Sequence, residues 1–477
     1  MKTFTKSILG GAMVATLLGS SAMGAGFQRG TPDTDILFEP GTTSLRWGMT
    51  YVAPQRGFET IDGQRGDFGD YVQDYNVPSF AVSFGGESFA CSVHYTESFA
   101  AEADYTGSPG GGLPFQNSDT QSTDNDDRIF ALNQGTSAYS RTRTIEFDSN
   151  EFGSTCRASY SSDYGRFSVL GGIFFEDFNF EGTSQGFRSL NGQVGPAIAG
   201  LPAATQAAIN GAFATGVQIT LPTLVSTDVE SGYDAGWRVG AAYEVPEIAL
   251  RVQAVYRSEV EHDNIVGSAR VTANQSAFVA VAGEQVSIPL FNTLVDQAGA
   301  AGRQQIQQAN QAGLFSAALS DLTSPQYLEI KAQTGIAEGT LLLGSFRWTD
   351  WSTNDAVVNS LISPDGTVTS TYQPYQWRDG YTASLGIGRA FNEQISGAIS
   401  VGYDRGVSTG AETTYTDLYT VSGGVSLKGA DWAELRLGGL VGYWTDGEQS
   451  ISDGAYFNGT VGDDVVLAGN ASLKFTW

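Results

Sequence analysis

A serine, a histidine and an acid held close together would give this chain the chemistry of a hydrolase. The sequence has two histidines, His94 and His262. His94 lies in a segment of alternating apolar and polar residues, and His262 precedes Asp263 at the edge of a predicted loop. The sequence pattern pairs neither histidine with a serine. We therefore do not expect an enzyme.

An acidic run at Asp124, Asp126 and Asp127 could bind a divalent cation. The run lacks the glycine and the closing glutamate of a calcium-binding loop. We interpret it as part of a solvated loop, and we expect neither a metal nor an organic cofactor.

Seven basic residues lie in segments where apolar and polar residues alternate, and each of the seven occupies one of the polar positions. In β-strands such residues would all point to one face. One of them could bind a ligand's carboxylate through charge-assisted hydrogen bonds. Alternatively, each pairs with an acid on the same face, such as Glu244, Glu259, Glu329 or Glu434. The seven are Arg46, Arg238, Arg251, Arg257, Arg347, Arg436 and Lys474.

The two cysteines, Cys91 and Cys156, fall on predicted neighbouring strands, each a few residues from a short turn. Antiparallel neighbours can approach within bonding distance, and an oxidising compartment favours the bond. We predict a possible disulfide here, with two free thiols as the alternative.

The composition is typical of a folded, exported protein. The 477 residues are 41% hydrophobic and 16% charged, which is enough apolar material for a large core. The formal charge of −26 argues against a nucleic-acid partner, because phosphate binding needs a basic surface. Residues 1–25 combine Lys2 and Lys6 with an apolar stretch and small residues up to Ala25, which predicts a cleaved signal peptide.

Alternation of apolar and polar residues dominates the chain from residue 44 to the end. We count fourteen alternating segments, joined in turn by six short turns and seven long loops. No stretch approaches the roughly 20 apolar residues of a membrane helix. The pattern predicts an all-β fold, a 14-stranded antiparallel transmembrane β-barrel over residues 44–477. The alternative is a soluble secreted β-protein, which has no reason to sort its loops by length.

A barrel of this size has a lumen wider than its own side chains fill. Residues 26–43 mix polar residues with Ile36, Leu37 and Phe38, and we predict that they form a short N-terminal hatch inside the barrel. The alternative is a disordered periplasmic tail. In two long loops the apolar residues have the spacing of a helix face. This pattern predicts helices that form an outer hydrophobic site, and the alternative is that they only pack on the barrel mouth. The residues concerned are Ile198, Leu201, Ile209, Phe213, Leu290, Phe291, Leu294, Leu314 and Phe315.

Three stretches of the chain carry a family resemblance: Ala25-Gly26-Phe27-Gln28, the region from Gly236-Trp237 through Tyr256-Arg257-Ser258-Glu259-Val260, and Trp348-Thr349-Asp350-Trp351-Ser352 with Asp379-Gly380-Tyr381. They resemble the FadL family of long-chain fatty acid and hydrocarbon transporters of the Gram-negative outer membrane. The similarity extends over nearly the whole chain after residue 25. The family's Asn-Pro-Ala hatch motif is absent, and Phe38-Glu39-Pro40-Gly41 stands roughly in its place.

The resemblance implies a plugged barrel with an inner pocket that the N-terminus reaches, and a lateral exit where the third strand kinks inward. Ser98 aligns near this kink, between Glu97 and Phe99. We expect ligand contacts from the hatch and from inward arginines. These residues are Gly26, Phe27, Ile36, Leu37, Phe38, Arg46, Arg238, Arg257 and Arg347.

The function that the resemblance implies is passive uptake of long-chain fatty acids through the outer membrane of a Gram-negative bacterium. We expect a monomer in contact with membrane lipid and lipopolysaccharide. Aromatic or alkane hydrocarbons are the alternative ligands, and a barrel that binds them without transport is the alternative function.

Overall fold

The computed structural model describes residues 26–61, 63–105, 141–281, 284–354, 356–412, 415–455 and 457–477. Within these ranges fourteen antiparallel strands close into a barrel, because the first strand pairs with the last from Ser44↔Thr476 to Pro54↔Val466. The predicted fold is confirmed. The strands are β1 (Thr43–Pro54), β2 (Tyr75–Gly85), β3 (Phe89–Asp104), β4 (Arg141–Ser162), β5 (Gly165–Glu176), β6 (Asp234–Val245), β7 (Leu250–Arg257), β8 (Tyr327–Ala337), β9 (Thr340–Thr349), β10 (Gly380–Ala390), β11 (Ile395–Arg405), β12 (Leu418–Ala430), β13 (Ala433–Trp444) and β14 (Asp464–Thr476).

The outer face of the barrel is apolar at every second residue. Trp47, Met49 and Tyr51 on β1 are 54%, 42% and 46% exposed, whereas Arg46, which directly precedes Trp47, points inward and is buried. Strand side chains alternate between faces, so this arrangement puts an apolar belt against lipid and polar groups in the lumen. None of the described helices is long and apolar enough to cross a membrane.

The predicted signal peptide, residues 1–25, and the acidic run at residues 124–127 lie outside the described residues. The two cysteines do not: Cys91 on β3 and Cys156 on β4 are directly opposite and form a disulfide, which confirms the predicted bond. The bond joins these two strands near the rim of the short turns.

The long loops carry the sheet beyond the membrane belt. The upper half of β4 pairs with the strand Asn179–Ser189, which in turn pairs with Val217–Glu230. Six further strands complete this extension: Val266–Thr272, Phe278–Val281, Glu284–Val286, Ser316–Leu319, Ala356–Ile362 and Val368–Pro374.

Smaller elements complete the fold at the mouth, in the lumen and in one short turn. A two-stranded sheet pairs Val260–His262 with Leu322–Ser324. A four-stranded sheet consists of Phe58–Ile61, Gln64–Arg65, Gly447–Gln449 and Gly459–Val461. The helices are α1 (Gly195–Ala199), α2 (Ala203–Ala214) and α3 (Asn292–Gln311), with short 3-10 turns at Thr34–Phe38, Asn191–Gln193, Pro246–Ile248, Pro289–Phe291, Trp351–Thr353 and Ile451–Asp453.

The loop helices pack onto the extension and form a hydrophobic core with it. Five of the nine residues predicted as an outer ligand site are buried in this core, and Leu201 and Phe213 pack against it. Leu290 and Leu314 are 44% and 53% exposed. The buried residues match the packing alternative, because these side chains hold the extension together. They are Ile198, Ile209, Phe291, Leu294 and Phe315.

Candidate functional site

Residues 26–42, which we call the hatch segment, lie inside the barrel and end one residue before the predicted boundary, where β1 begins. Its 3-10 turn, Thr34–Phe38, is mostly buried, with Ile36 and Leu37 1% and 2% exposed. The Ser83 hydroxyl of β2 donates a 3.2 Å hydrogen bond to the Ile36 carbonyl. The described residues therefore do not form the free tail of the alternative interpretation.

Ion pairs hold the hatch segment to the barrel wall. Asp35 lies 2.9 Å from Arg251 and 3.5 Å from Lys331, and Glu39 lies 2.8 Å from Arg46 and 3.0 Å from Lys474. Arg46 also pairs with Asp33. Several inward basic residues therefore bind the chain's own acids.

The charge of Asp35 persists well below neutral pH. Burial raises the pKa of this carboxyl, but Lys331, Arg251 and Arg46 outweigh burial and lower the pKa to about 2. A carboxyl with a depressed pKa stabilises the folded form above its ordinary pKa, and the contribution is lost only as the pH falls towards the lowered value. The ion pairs of Asp35 are thus intact at neutral and mildly acidic pH.

We predict that hydrogen exchange of the hatch segment, corrected for intrinsic rates, stays constant between about pH 8 and pH 5. Asp35→Asn should speed this exchange, because Arg251 and Lys331 lose the anion that they share. Mass spectrometry of the exchanged protein measures both effects. Exchange that rises steadily towards pH 5 in the unsubstituted protein would contradict this assignment.

Phe27 inserts its ring into a box of aromatic side chains. Its ring centre lies 4.6 Å from Trp377, 4.8 Å from Phe147 and 4.8 Å from Tyr415, with the ring planes 72–82° apart. Edge-to-face packing at such distances is favourable. Gly26 precedes it with a φ of +66°, and a Cβ there would lie 2.6 Å from the Trp351 ring, so the site requires glycine.

Strand β3 leaves the barrel wall at Ser98. Its pairing with β2 ends at Ser79↔Thr96, and its pairing with β4 shifts register between Glu97 and Phe99. Such a bulge bends a strand. The position agrees with the kink that the sequence alignment indicates near Ser98, although the lateral-gate role of Glu97, Ser98 and Phe99 stays a prediction.

The hatch segment takes over the hydrogen bonds that β3 releases. The amides of Arg29 and Gly30 donate to the carbonyls of Ser98 and Glu97 at 2.9 and 2.8 Å, and the Ala100 amide donates to the Phe27 carbonyl at 3.0 Å. A Cβ on Gly30 would lie 2.0 Å from the Thr96 hydroxyl, so this close approach requires glycine.

Beyond the kink, β3 pairs with the first long loop, where the Asp104 amide donates to the Tyr71 carbonyl at 2.8 Å. If the register of β2 and β3 continued beyond Ser79↔Thr96, residues 74–78 would pair with residues 97–101, but these two described segments are not paired as strands. We call the interval between them the wall gap. The guanidinium of Arg29 lies 3.3 Å from the centre of the Tyr75 ring and covers the gap from inside.

An apolar cavity of about 60 Å³ lies at the inner end of the hatch segment. We call it the aromatic pocket. Its lining is Phe27, Phe99, Ile145, Phe147, Ser149, Phe178, Phe180, His262, Leu319, Leu322, Thr323, Ser324, Pro325, Trp351, Asn354, Val357, Tyr375 and Trp377.

A second cavity, of about 180 Å³, lies beside the hatch segment and is lined by charged groups that include Asp33, Asp35, Arg46 and Lys331. Its lining suits water better than an apolar ligand. The two cavities thus divide the lumen into a polar part and an apolar part.

Buried acids pair with the inward arginines near the aromatic pocket. Arg257 bridges Glu151 and Glu176, with 3.1 Å from its Nε to Glu151. Glu151 also accepts from Arg238 and lies 2.7 Å from Nε2 of His94. Further round the barrel, Arg347 pairs with Glu329. The four arginines predicted as ligand contacts, Arg46, Arg238, Arg257 and Arg347, all carry carboxylate partners.

Glu151 and Glu176 were missed by the sequence reasoning. A signal was present, because Glu176 shares the inward parity of β5, on which Phe167, Val169, Ile173 and Phe175 face outward. Their pairing with Arg257 required knowing which strands lie close together across the lumen.

The expectation that no serine pairs with a histidine was wrong. His262 Nε2 lies 3.2 Å from the Ser324 hydroxyl, and its Nδ1 lies 3.0 Å from Asp234. Glu176 also approaches Nε2, at 3.4 Å. Ser324 is followed by Pro325, which has no N–H to offer an oxyanion beside that hydroxyl. We interpret the group as a hydrogen-bonded support for the pocket wall.

A family model described as outer membrane protein transport protein (OMPP1/FadL/TodX) matches residues 178–405. A FadL homologue of Pseudomonas aeruginosa is 12% identical, covers 97% of each chain and superposes with a TM-score of 0.62. The toluene transporter TbuX of Ralstonia pickettii is 9% identical over 96% of each chain, with a TM-score of 0.57. The toluene transporter TodX of P. putida is 12% identical, covers 94% of this chain and 93% of that chain, and gives 0.57. Curated protein sequences gave no significant match.

Proposed function

We propose that the chain is a member of the FadL/TodX family of outer-membrane transport proteins of Gram-negative bacteria, whose model matches residues 178–405. In this proposal it takes up a hydrophobic ligand passively through the aromatic pocket and releases it sideways through the wall gap. The hatch segment is the gate in this proposal. The route leads from the long-loop side, past Phe27, to lipid.

Contact between the gate and the gap is the observation that carries the proposal. Residues 27–30 donate and accept the backbone hydrogen bonds of β3 at the point where β3 leaves β2. The ring of Phe27 stands in the aromatic pocket, only two residues before Arg29 covers the gap. A ligand that displaces Phe27 therefore also loosens the residues that close the wall.

An apolar route is favourable for a hydrophobic ligand. Moving an apolar group into water costs about 0.8 kcal/mol per CH₂, so an aqueous pore would impose a barrier that the aromatic pocket avoids. Passive movement between apolar sites needs no energy source. The outer apolar site, the monomeric state and contact with lipopolysaccharide belong to the same proposal and rest on the sequence alone.

Two ligand classes compete within this proposal. A long-chain fatty acid, the class predicted first, needs a partner for its carboxylate, yet the nearest inward arginines, Arg238 and Arg257, already pair with Glu151 and Glu176. An uncharged aromatic compound needs no such partner and suits rings such as Phe147, Trp351 and Trp377. The pocket therefore favours the aromatic class.

Uptake of radiolabelled toluene and oleate by cells that express the protein tests the proposal. We expect faster toluene uptake than in cells with an empty vector, and a smaller gain or none for oleate. Trp377→Ala should lower toluene uptake by roughly twofold to tenfold, since one aromatic contact is lost.

Trp432→Ala is the matched control, because Trp432 is 54% exposed on the outer surface near the short turns. This control should transport like the unsubstituted protein. Equal rates in expressing and empty-vector cells would remove the transport proposal, and a gain for oleate alone would assign the channel to fatty acids.

A further inference from the structure

Ser149 carries a hydroxyl without a partner in the wall of the aromatic pocket. The residue is 1% exposed, and its Oγ makes no hydrogen bond within the described part of the chain. Its backbone carbonyl is occupied, because it accepts a 3.1 Å hydrogen bond from the Ser98 hydroxyl. The side-chain hydroxyl is therefore the group that remains available.

A buried hydroxyl without a partner costs free energy, and an alanine methyl would avoid this cost. Ser149 stands opposite Phe99 in the pairing of β3 with β4, directly beside the kink. Both residues line the aromatic pocket. The hydroxyl thus faces a space whose other walls are mostly aromatic and aliphatic.

Three other polar residues of the pocket wall already have partners. Ser324 and His262 lie 3.2 Å apart, and the side-chain amide of Asn354 bonds both the amide and the carbonyl of Thr323. Ser149 is therefore a polar lining residue whose buried hydroxyl can bind a guest without breaking an existing contact.

We propose that Ser149 makes the pocket select an aromatic compound that bears one neutral hydrogen-bonding group, such as a phenol, over the plain hydrocarbon. This inference rests on the proposed function. The ring of such a ligand contacts Phe147 and Trp377, and its hydroxyl bonds Ser149. A ligand carboxylate in that position would lie near the negative charge of Glu176, which contacts His262. Arg257 could not offset this charge for the ligand, because it already pairs with Glu176.

The test compares the binding of toluene and p-cresol to the purified protein in detergent. The fluorescence of Trp351 and Trp377 reports binding and gives the two dissociation constants. The two probes differ by one hydroxyl. We expect the ratio of their dissociation constants, toluene over p-cresol, to fall about fivefold in Ser149→Ala, because one hydrogen bond is lost. Ser149→Cys, which keeps the size of the side chain and weakens the donor, should give an intermediate ratio.

Thr155→Val is the matched control. Its hydroxyl on the same strand is also buried and has no partner among the described residues, but Thr155 is not among the residues that line the pocket. The control should leave the ratio unchanged. Ser149→Ala should also keep its fold, since it removes a hydroxyl that bonds nothing; if it does not fold, Ser149→Cys decides.

An unchanged ratio in the Ser149 variants would overturn the proposal, and would mean that the hydroxyl bonds water or nothing. That result leaves toluene transport standing. Failure of the unsubstituted protein to bind either probe would instead count against the proposed function itself.

Discussion

A disulfide between residues 28 and 99 should stop uptake. The hydrogen bonds on either side of the bridge Gln28↔Phe99 make this a non-hydrogen-bonded antiparallel pair, whose Cα atoms are about 4.5 Å apart and within reach of a disulfide. In oxidised Gln28→Cys/Phe99→Cys the hatch segment cannot leave β3. We expect toluene uptake to fall to the level of empty-vector cells.

Reduction of the bond should restore uptake, and this comparison uses the same variant before and after treatment. The single variant Phe99→Cys is the control, because it carries the change in the pocket without the cross-link. It also contains the natural pair Cys91 and Cys156, so reduction of that pair affects both arms equally. Equal uptake by the oxidised and reduced double variant would exclude movement of the hatch segment from the route.

Arg257→Ala should destabilise the barrel by about 3–5 kcal/mol, the usual cost of removing one partner from a buried ion pair. Arg257 is 1% exposed and bridges Glu151 and Glu176, which are both 0% exposed. Without it, two buried carboxylates lose a shared cation. Unfolding in urea, followed by the electrophoretic shift of the folded barrel, measures the loss.

Arg389→Ala removes a positive charge from an exposed position near the short turns of the same barrel and serves as the control. We expect its urea midpoint to match that of the unsubstituted protein. A midpoint for Arg257→Ala equal to that of the control would show that the buried network contributes little to folding.

The barrel could be predicted from the sequence because lipid and lumen impose opposite polarity on successive residues. Trp47 and Arg46 show this contrast on β1, and the same parity placed the arginines correctly in the lumen. The hatch segment was predictable from its position before β1. Its anchors, such as Asp35 to Lys331, were not, because they join residues far apart in the chain.

The extension above the membrane was missed for a physical reason. Strands such as Val217–Glu230 pack against α2 and α3, so their side chains need no lipid-facing parity. The aromatic pocket was missed as well. Phe27 was predicted from the family resemblance, but Trp351 and Trp377 meet it only because their loops fold over the same part of the mouth.

The proposed route requires an apolar ligand to occupy the aromatic pocket behind the gate. A structure of the protein determined with toluene tests this most directly. We expect the toluene ring against Phe147 and Trp377, in contact with or in place of the ring of Phe27. Toluene found solely in the polar cavity beside Asp35, or among the loop helices, would contradict the claim.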